Sequence, residues 1–302
     1  SCRFCMEGCI FRAKRERSLP ALKKLLEAGL KENRTGKVTF LSLSFFDHSE
    51  GERVLEAALE LGASYSVPSM RVDLLNDHRL ELIARGGQRT LTIAPETGSP
   101  RIAEAINKAV SKSDTIEVVA KAFRIGFHAV KLYLTIGFPG ESPDDVKATI
   151  ELMKSVARVA KEAGKEVRFA VNPFMPKPYT PLQWLNMMPV EYLRRVYSYM
   201  KHALSGGLYG RFTTYDPRWA AVQVALSRFS SDASRLLLLW KAHGGGLAGW
   251  RRACREAGVN VKNLLARIDP GVSLPWLESV RISYTPVRYL KREYERYWQI
   301  LG

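Results

Sequence analysis

Cysteine is scarce. Four residues in 302 are too few for a disulfide framework, and three of them (Cys2, Cys5 and Cys9) fall within the first nine positions, with Cys254 far away. Clustering of this kind reads as metal chemistry in a reducing cytosol. Histidine is equally sparse. His48, His78, His128, His202 and His243 show no ligand spacing and are assigned no chemistry. Long apolar runs are missing too: the longest candidate, Val130 to Phe138, has the length of a buried strand, so no membrane span is expected. No signal peptide, internal repeat or low-complexity tract is visible, and a cytoplasmic location is expected. Acidic residues fall short of basic ones, 30 against 46, giving a formal charge of +16.

What remains is a chain 46% hydrophobic and 25% charged, enough for one large domain or a domain plus an appendage. The positive surplus is uneven. From Met187 to Gly302 there are 18 Lys/Arg against 8 Asp/Glu. An arginine-rich surface accounts for this, and so does a partner such as RNA or another polyanion.

Short β-branched runs alternate with helical patterns. Strands are predicted at 38–44, 64–68, 89–94, 129–136 and 166–171, with helical stretches near 18–29, 51–61, 78–84, 114–125 and 143–163. This βαβα order argues for a parallel sheet covered by helices. Gly29, Gly62, Gly126 and Gly164 punctuate helix ends before strands. Polar, Gly and Pro residues gather after each strand, at 44–47, 70–73, 95–99, 137–141 and 172–181. Chemistry in parallel α/β folds sits at that edge. Beyond Pro189 helical segments separated by Gly-rich turns predict a basic, mostly helical region over 189–302, following a core over 1–188.

Cys2-Arg3-Phe4-Cys5 is a C-x2-C pair with an aromatic before its second cysteine. Two thiolates on one tight loop grip a metal or an iron–sulfur cluster; a zinc knuckle and bare thiols are the alternatives. Cys9 either joins them or packs in the interior, and Cys254, on a predicted helix, reads as structural.

These residues resemble the radical S-adenosylmethionine superfamily. Cys2-Arg3-Phe4-Cys5 is similar to the last two cysteines of its C-x3-C-x2-C motif, whose first cysteine would precede Ser1 by three residues. The segments Leu41–Asp47, Met70–Asp73, Ile93–Ser99, Lys131–Glu141 and Asn172–Trp184 resemble the family's second to sixth strand exits, in order. The likeness is strongest to members with an N-terminal cobalamin-binding domain, and its tail resembles one uncharacterised subgroup of them. Methylthiotransferases, which act on RNA, share the strand motifs.

The resemblance implies a partial (β/α)6 TIM-like barrel lacking its first strand, plus the helical region. It implies a [4Fe–4S] cluster held by Cys2 and Cys5, reductive cleavage of S-adenosylmethionine to a 5′-deoxyadenosyl radical, an electron donor, and methyl transfer with cobalamin bound by an upstream domain. With two thiolates the chain is expected to hold a labile cluster. Around the cofactor the resemblance places Phe4, Ser44, Asp47, Arg71, Glu96, Lys131, Tyr133, Gly137, Asn172 and Pro173. Several have plainer readings: Glu96 or Asp47 as helix caps, Arg71 as the ion-pair partner of Asp73, and Gly137 as a turn residue. Lys131, on one strand face with Tyr133, needs an anionic partner, Glu96 or the cofactor carboxylate. A zinc-containing nucleic-acid-binding module and an inactive fragment are the competing readings.

Overall fold

A computed structural model describes residues 1–108, 110–205, 210–229, 232–279 and 285–302. After a single turn in the cysteine loop (α1, Glu7–Ile10) and helix α2 (Leu19–Glu32), strands and helices alternate: β1 (Lys37–Thr39), α3 (Gly51–Glu60), β2 (Ser64–Ser66), α4 (Asp77–Arg85), β3 (Thr90–Glu96), α5 (Pro100–Ala105), α6 (Lys112–Ile125), β4 (Ala129–Ile136), α7 (Pro143–Glu162), β5 (Glu166–Pro173), α8 (Val190–Leu204) and β6 (Gly210–Thr214). Every strand pair is parallel. β1 pairs with β2, β3 to β6 pair in sequence order, and a Met70–Ile93 bridge links the two sheets. The predicted α/β class is thus observed.

Two predictions need correction. The strand expected at 38–44 spans only Lys37–Thr39, and Leu41 and Leu43 are exposed in the loop beyond it. Three register pairs with β2 give it little to extend against. The sheet also continues past residue 188, because β6 pairs with β5. Its Gly-Arg-Phe-Thr-Thr sequence is exposed at four of five positions, so no apolar alternation announces it.

The sheet has two unlike faces. Tyr65, Leu91, Ile93, Val130, Leu132, Leu134, Val167, Phe169 and Val171 are fully shut from solvent, packed against α3, α4, α6, α7 and α8. Alternate residues point the other way. There lie Lys37, Thr39, Ser64, Ser66, Thr90, Thr92, Lys131, Tyr133, Thr135, Arg168, Asn172, Arg211 and Thr213, all half-buried or exposed. Serine caps sharpen the turns at the strand exits. Ser142 and Asp145 form a reciprocal capping box at the start of α7.

The remaining helices are α9 (Pro217–Ser227), α10 (Ala233–Ala242), α11 (Gly246–Glu256), α12 (Val261–Leu265), α13 (Pro275–Ser279) and α14 (Val287–Leu301). Helices α9 to α11 enclose a small core with Leu236, Trp250 and Cys254, so Cys254 is structural. Helix α14 instead joins a second core with Cys9, Ile102, Phe138, Phe174 and Trp184, underneath the cysteine loop.

Candidate active site

Local turns build the cysteine loop. The Cys5 N–H donates to the Cys2 carbonyl at 3.2 Å, and both thiols stay half-buried and free. Arg3, between them, is buried. Its backbone N–H donates to Ile106 O (2.9 Å), and its Nη1 donates to the Glu104 and Ala105 carbonyls (3.0 and 2.8 Å) at the end of α5. Its Nε donates to Glu293 of α14 at 3.0 Å. Phe4 reaches the opposite way, edge-on to Phe138 at 6.1 Å between centroids, and Phe138 leans on Phe174 at 4.9 Å. The loop is therefore stitched to the exits of β4 and β5.

Helix α14 fixes a second strand exit as well. Tyr297 donates its hydroxyl to Pro139 O at 2.6 Å. Gly137 has φ +78°, and a Cβ there would come within 2.6 Å of Leu193, while its N–H donates to Glu141 at 2.6 Å. That geometry already requires glycine as a turn residue.

Glu96 closes β3 in an unusual state. Its φ is +70°, next to a register shift between Ile93 and Glu96, and it is buried. A non-glycine residue in that region is strained, and such strain gathers at functional sites. Its carboxylate accepts from Lys108 (2.7 Å) and from Thr135 of β4 (2.8 Å). It does not cap α5: Ser99 does, accepting from Ile102 N–H. The next residues serve packing, since a Cβ on Gly98 would lie 2.4 Å from Ala148 O.

Charges show what converges. Burial pushes the Cys2 thiol up; Lys108 opposes this, and Glu96 and Cys5 reinforce it. Arg71 is raised, first by its bond to Asp73, with further contributions from Asp47 and Cys2. The exits of β1 (Asp47), β2 (Arg71) and β3 (Glu96) thus share one electrostatic neighbourhood with both cysteines.

Other expected residues are placed as follows. Arg71 forms a two-point pair with Asp73 (3.1 and 2.6 Å), which is its plainer reading. Asp47 is exposed and does not cap α3, whose N-cap is Glu50. Ser44 precedes it, and its hydroxyl oxygen is buried with no partner among the described residues. Lys131 does not pair with Glu96. Its Nζ donates to the Tyr133 hydroxyl at 3.1 Å, and Lys108 takes the expected place. Asn172 lies beside Thr135 on the polar face, whereas Pro173, opposite Ile136, is buried on the core side. Cys9 is 1% exposed in the second core, and burial pushes its thiol up, so it packs in the interior.

The family model of the Radical SAM superfamily matches residues 1–153. The chain belongs to the radical SAM superfamily. It is 35% identical over 182 residues to uncharacterized protein MJ0966 of Methanocaldococcus jannaschii, covering 60% of this chain and 39% of that protein. It is 35% identical over 88 residues to uncharacterized methyltransferase PH0819 of Pyrococcus horikoshii, covering 29% and 19%. The chain therefore spans less than half the length of these relatives. Among solved structures it is similar to Streptococcus suis SuiB bound to S-adenosylmethionine, at TM-score 0.49 and 16% identity over 71% of this chain and 47% of that one.

For a radical SAM cluster the donor set fits in part. Cys2 and Cys5 are soft, accessible, adjacent thiols that suit iron–sulfur ligation. Among the described residues no group of three or more His, Cys, Asp or Glu could hold a metal ion. The loop offers two thiols, Cys2 and Cys5, toward such a cluster. No helix among the described residues is long and apolar enough to cross a membrane.

Proposed function

We propose that the chain carries the cluster loop and the cofactor-facing sheet edge of a radical SAM enzyme that transfers a methyl group, with cobalamin held by a domain outside this sequence. The carrying observation is the Cys2–Cys5 turn set beside the strained Glu96–Lys108 pair. Resemblance at the strand exits and a relative named as a methyltransferase support the transfer step.

When bound, the cluster and S-adenosylmethionine supply one-electron cleavage to methionine and a 5′-deoxyadenosyl radical. The residues described above bind and orient. Cys2 and Cys5 ligate iron, and Arg3 fixes their loop. Glu96, held by Lys108 and Thr135, offers its remaining lone pairs to ribose hydroxyls or the methionine ammonium. Ser44 has an unused hydrogen bond at the same edge. Phe4, Phe138 and Phe174 keep water from the loop's inner side.

Anaerobic reconstitution with iron and sulfide, read by metal and labile-sulfide analysis and by EPR with and without S-adenosylmethionine, tests this. Iron and sulfide at less than one cluster per chain, lost on Cys2→Ser or Cys5→Ser, with an EPR signal altered by S-adenosylmethionine, are expected. Zinc without labile sulfide would overturn the reading.

A further inference from the structure

The face of the sheet turned away from the helices is mostly polar, broken by the small side chains of Ala129 and Ala170, and its charge is arranged. In the β3–β6 register Thr92 lies opposite Lys131, Lys131 opposite Arg168, and Arg168 opposite Arg211. Side chains at one register on neighbouring strands stand roughly 4.8 Å apart on the same side. Lys131, Arg168 and Arg211 therefore form a row of three cations across three strands. Like charges directly opposite destabilise a sheet, so the row stands against its own repulsion.

Local compensation is incomplete. Glu166 accepts two hydrogen bonds from Arg168 (3.0 and 2.8 Å) and approaches Arg211 at 3.8 Å. Among the described residues Lys131 has no carboxylate within ion-pair distance. It bends along the strand, donating to the Tyr133 hydroxyl and sitting 4.6 Å from that ring's centroid. One carboxylate reaches two of the three cations, Arg168 and Arg211. Among the other neighbours on this face, Thr92 and Thr213 add hydroxyls, and Ala129 and Ala170 are too small to cover the row. A sheet interior meant for packing carries bulky branched apolar residues instead.

We propose that this face receives the substrate, and that the substrate carries a phosphate or carboxylate group held by Lys131, Arg168 and Arg211. The inference rests on the radical SAM reading for what happens at the other end of that substrate. Lys131 and Thr135 are four residues apart on β4, roughly 13 Å along a strand. Thr135 holds Glu96 at the cofactor edge. The substrate is thus an elongated polar molecule: its anionic end docks in the cation row, and its reacting carbon lies toward the cysteine loop. An apolar lipid chain finds no matching surface here.

The test reads anion binding without any cluster. Inorganic pyrophosphate and citrate, as phosphate and carboxylate probes, are titrated calorimetrically into the 302-residue chain at fixed salt. Lys131→Gln, Arg168→Gln and Arg211→Gln are made singly and together. Arg251→Gln, Arg252→Gln and Arg255→Gln on α11 remove the same charge elsewhere. Thermal melts verify folding, and Lys131→Arg checks that charge rather than shape is read. The row triple variant is expected to weaken one or both probes at least about tenfold, and the α11 triple variant no more than about twofold. The more strongly affected probe identifies the phosphate or carboxylate source. Equal loss in both triples, or none in the row triple, would overturn the proposal. Cys2→Ser with Cys5→Ser is expected to leave anion binding intact, so failure of the cluster reading is visible separately.

Discussion

Arg3 and Glu293, 290 positions apart, form a buried ion pair at 3.0 Å, with side chains 7% and 6% exposed. Arg3 lies between Cys2 and Cys5, and Glu293 lies on α14 near the other end of the chain. The guanidinium's Nη1 donates to two carbonyls of α5. Glu293 also accepts from Arg296 at 2.8 Å. The tail helix is thereby a structural support of the cysteine loop, and through Tyr297 of the Pro139 turn as well.

Removing one partner leaves the other's charge buried. Glu293→Ala is expected to destabilise the chain by roughly 3 kcal/mol or more and to speed alkylation of Cys5. Denaturant unfolding and timed thiol labelling check this. A cost under about 1 kcal/mol with unchanged labelling would show that the loop holds itself.

Glu96 adopts its positive φ while making polar contacts to Lys108 and Thr135. Glu96→Gln keeps the backbone and removes the charge. Its S-adenosylmethionine affinity is expected to fall at least about tenfold, and its melting temperature to fall as well, because Lys108 keeps its charge without the carboxylate. Glu96→Gly, relieving the strained φ, is expected to lose the same affinity. Unchanged affinity in both variants would leave Glu96 a purely structural residue.

Burial pushes the Glu141 carboxyl up to about 8, against the Gly137 N–H it accepts from. The residue as a whole is half-buried, but this bond turns its carboxyl inward. Between about 4.5 and about 8 the folded chain holds a proton that the unfolded chain has lost. Stability from this group is full below the lower value and drains as pH rises to the upper one. Asp145 does not mask the trend. Burial opposes its ionisation, but bonds from Arg101, Ser99 and Ser142 hold it down to about 2, so it stays ionised throughout that window. Urea midpoints are expected to fall across the window, and Glu141→Gln to flatten the fall. A midpoint that rises with pH in wild type and variant alike would contradict this.

Cys9 sits in an apolar core beside α14 and α5. Cys9→Ser is expected to cost roughly 1–3 kcal/mol by burying a hydroxyl among apolar groups, while iron content after reconstitution stays at the wild-type level. Loss of iron in this variant, with the fold intact by circular dichroism, would make Cys9 a ligand.

The sequence alone determined the alternation of strands and helices and the placing of polar clusters at strand exits, because periodicity and turn chemistry are local. β4 was legible at its observed limits, Ala129 to Ile136, since its core-facing residues alternate strictly with polar ones. Cys2 and Cys5 were legible as two neighbouring thiols on one tight turn from spacing alone. Only the tertiary structure decided who holds what. Glu96 pairs with Lys108, not Lys131, because a strained turn aims its carboxylate toward the α5–α6 connection. Arg3 finds Glu293 only after α14 has packed across α5. β6 joins the sheet by backbone hydrogen bonds, which any side-chain pattern can make. The cation row likewise exists only through register: Lys131, Arg168 and Arg211 are unremarkable in sequence, and parallel pairing sets them side by side.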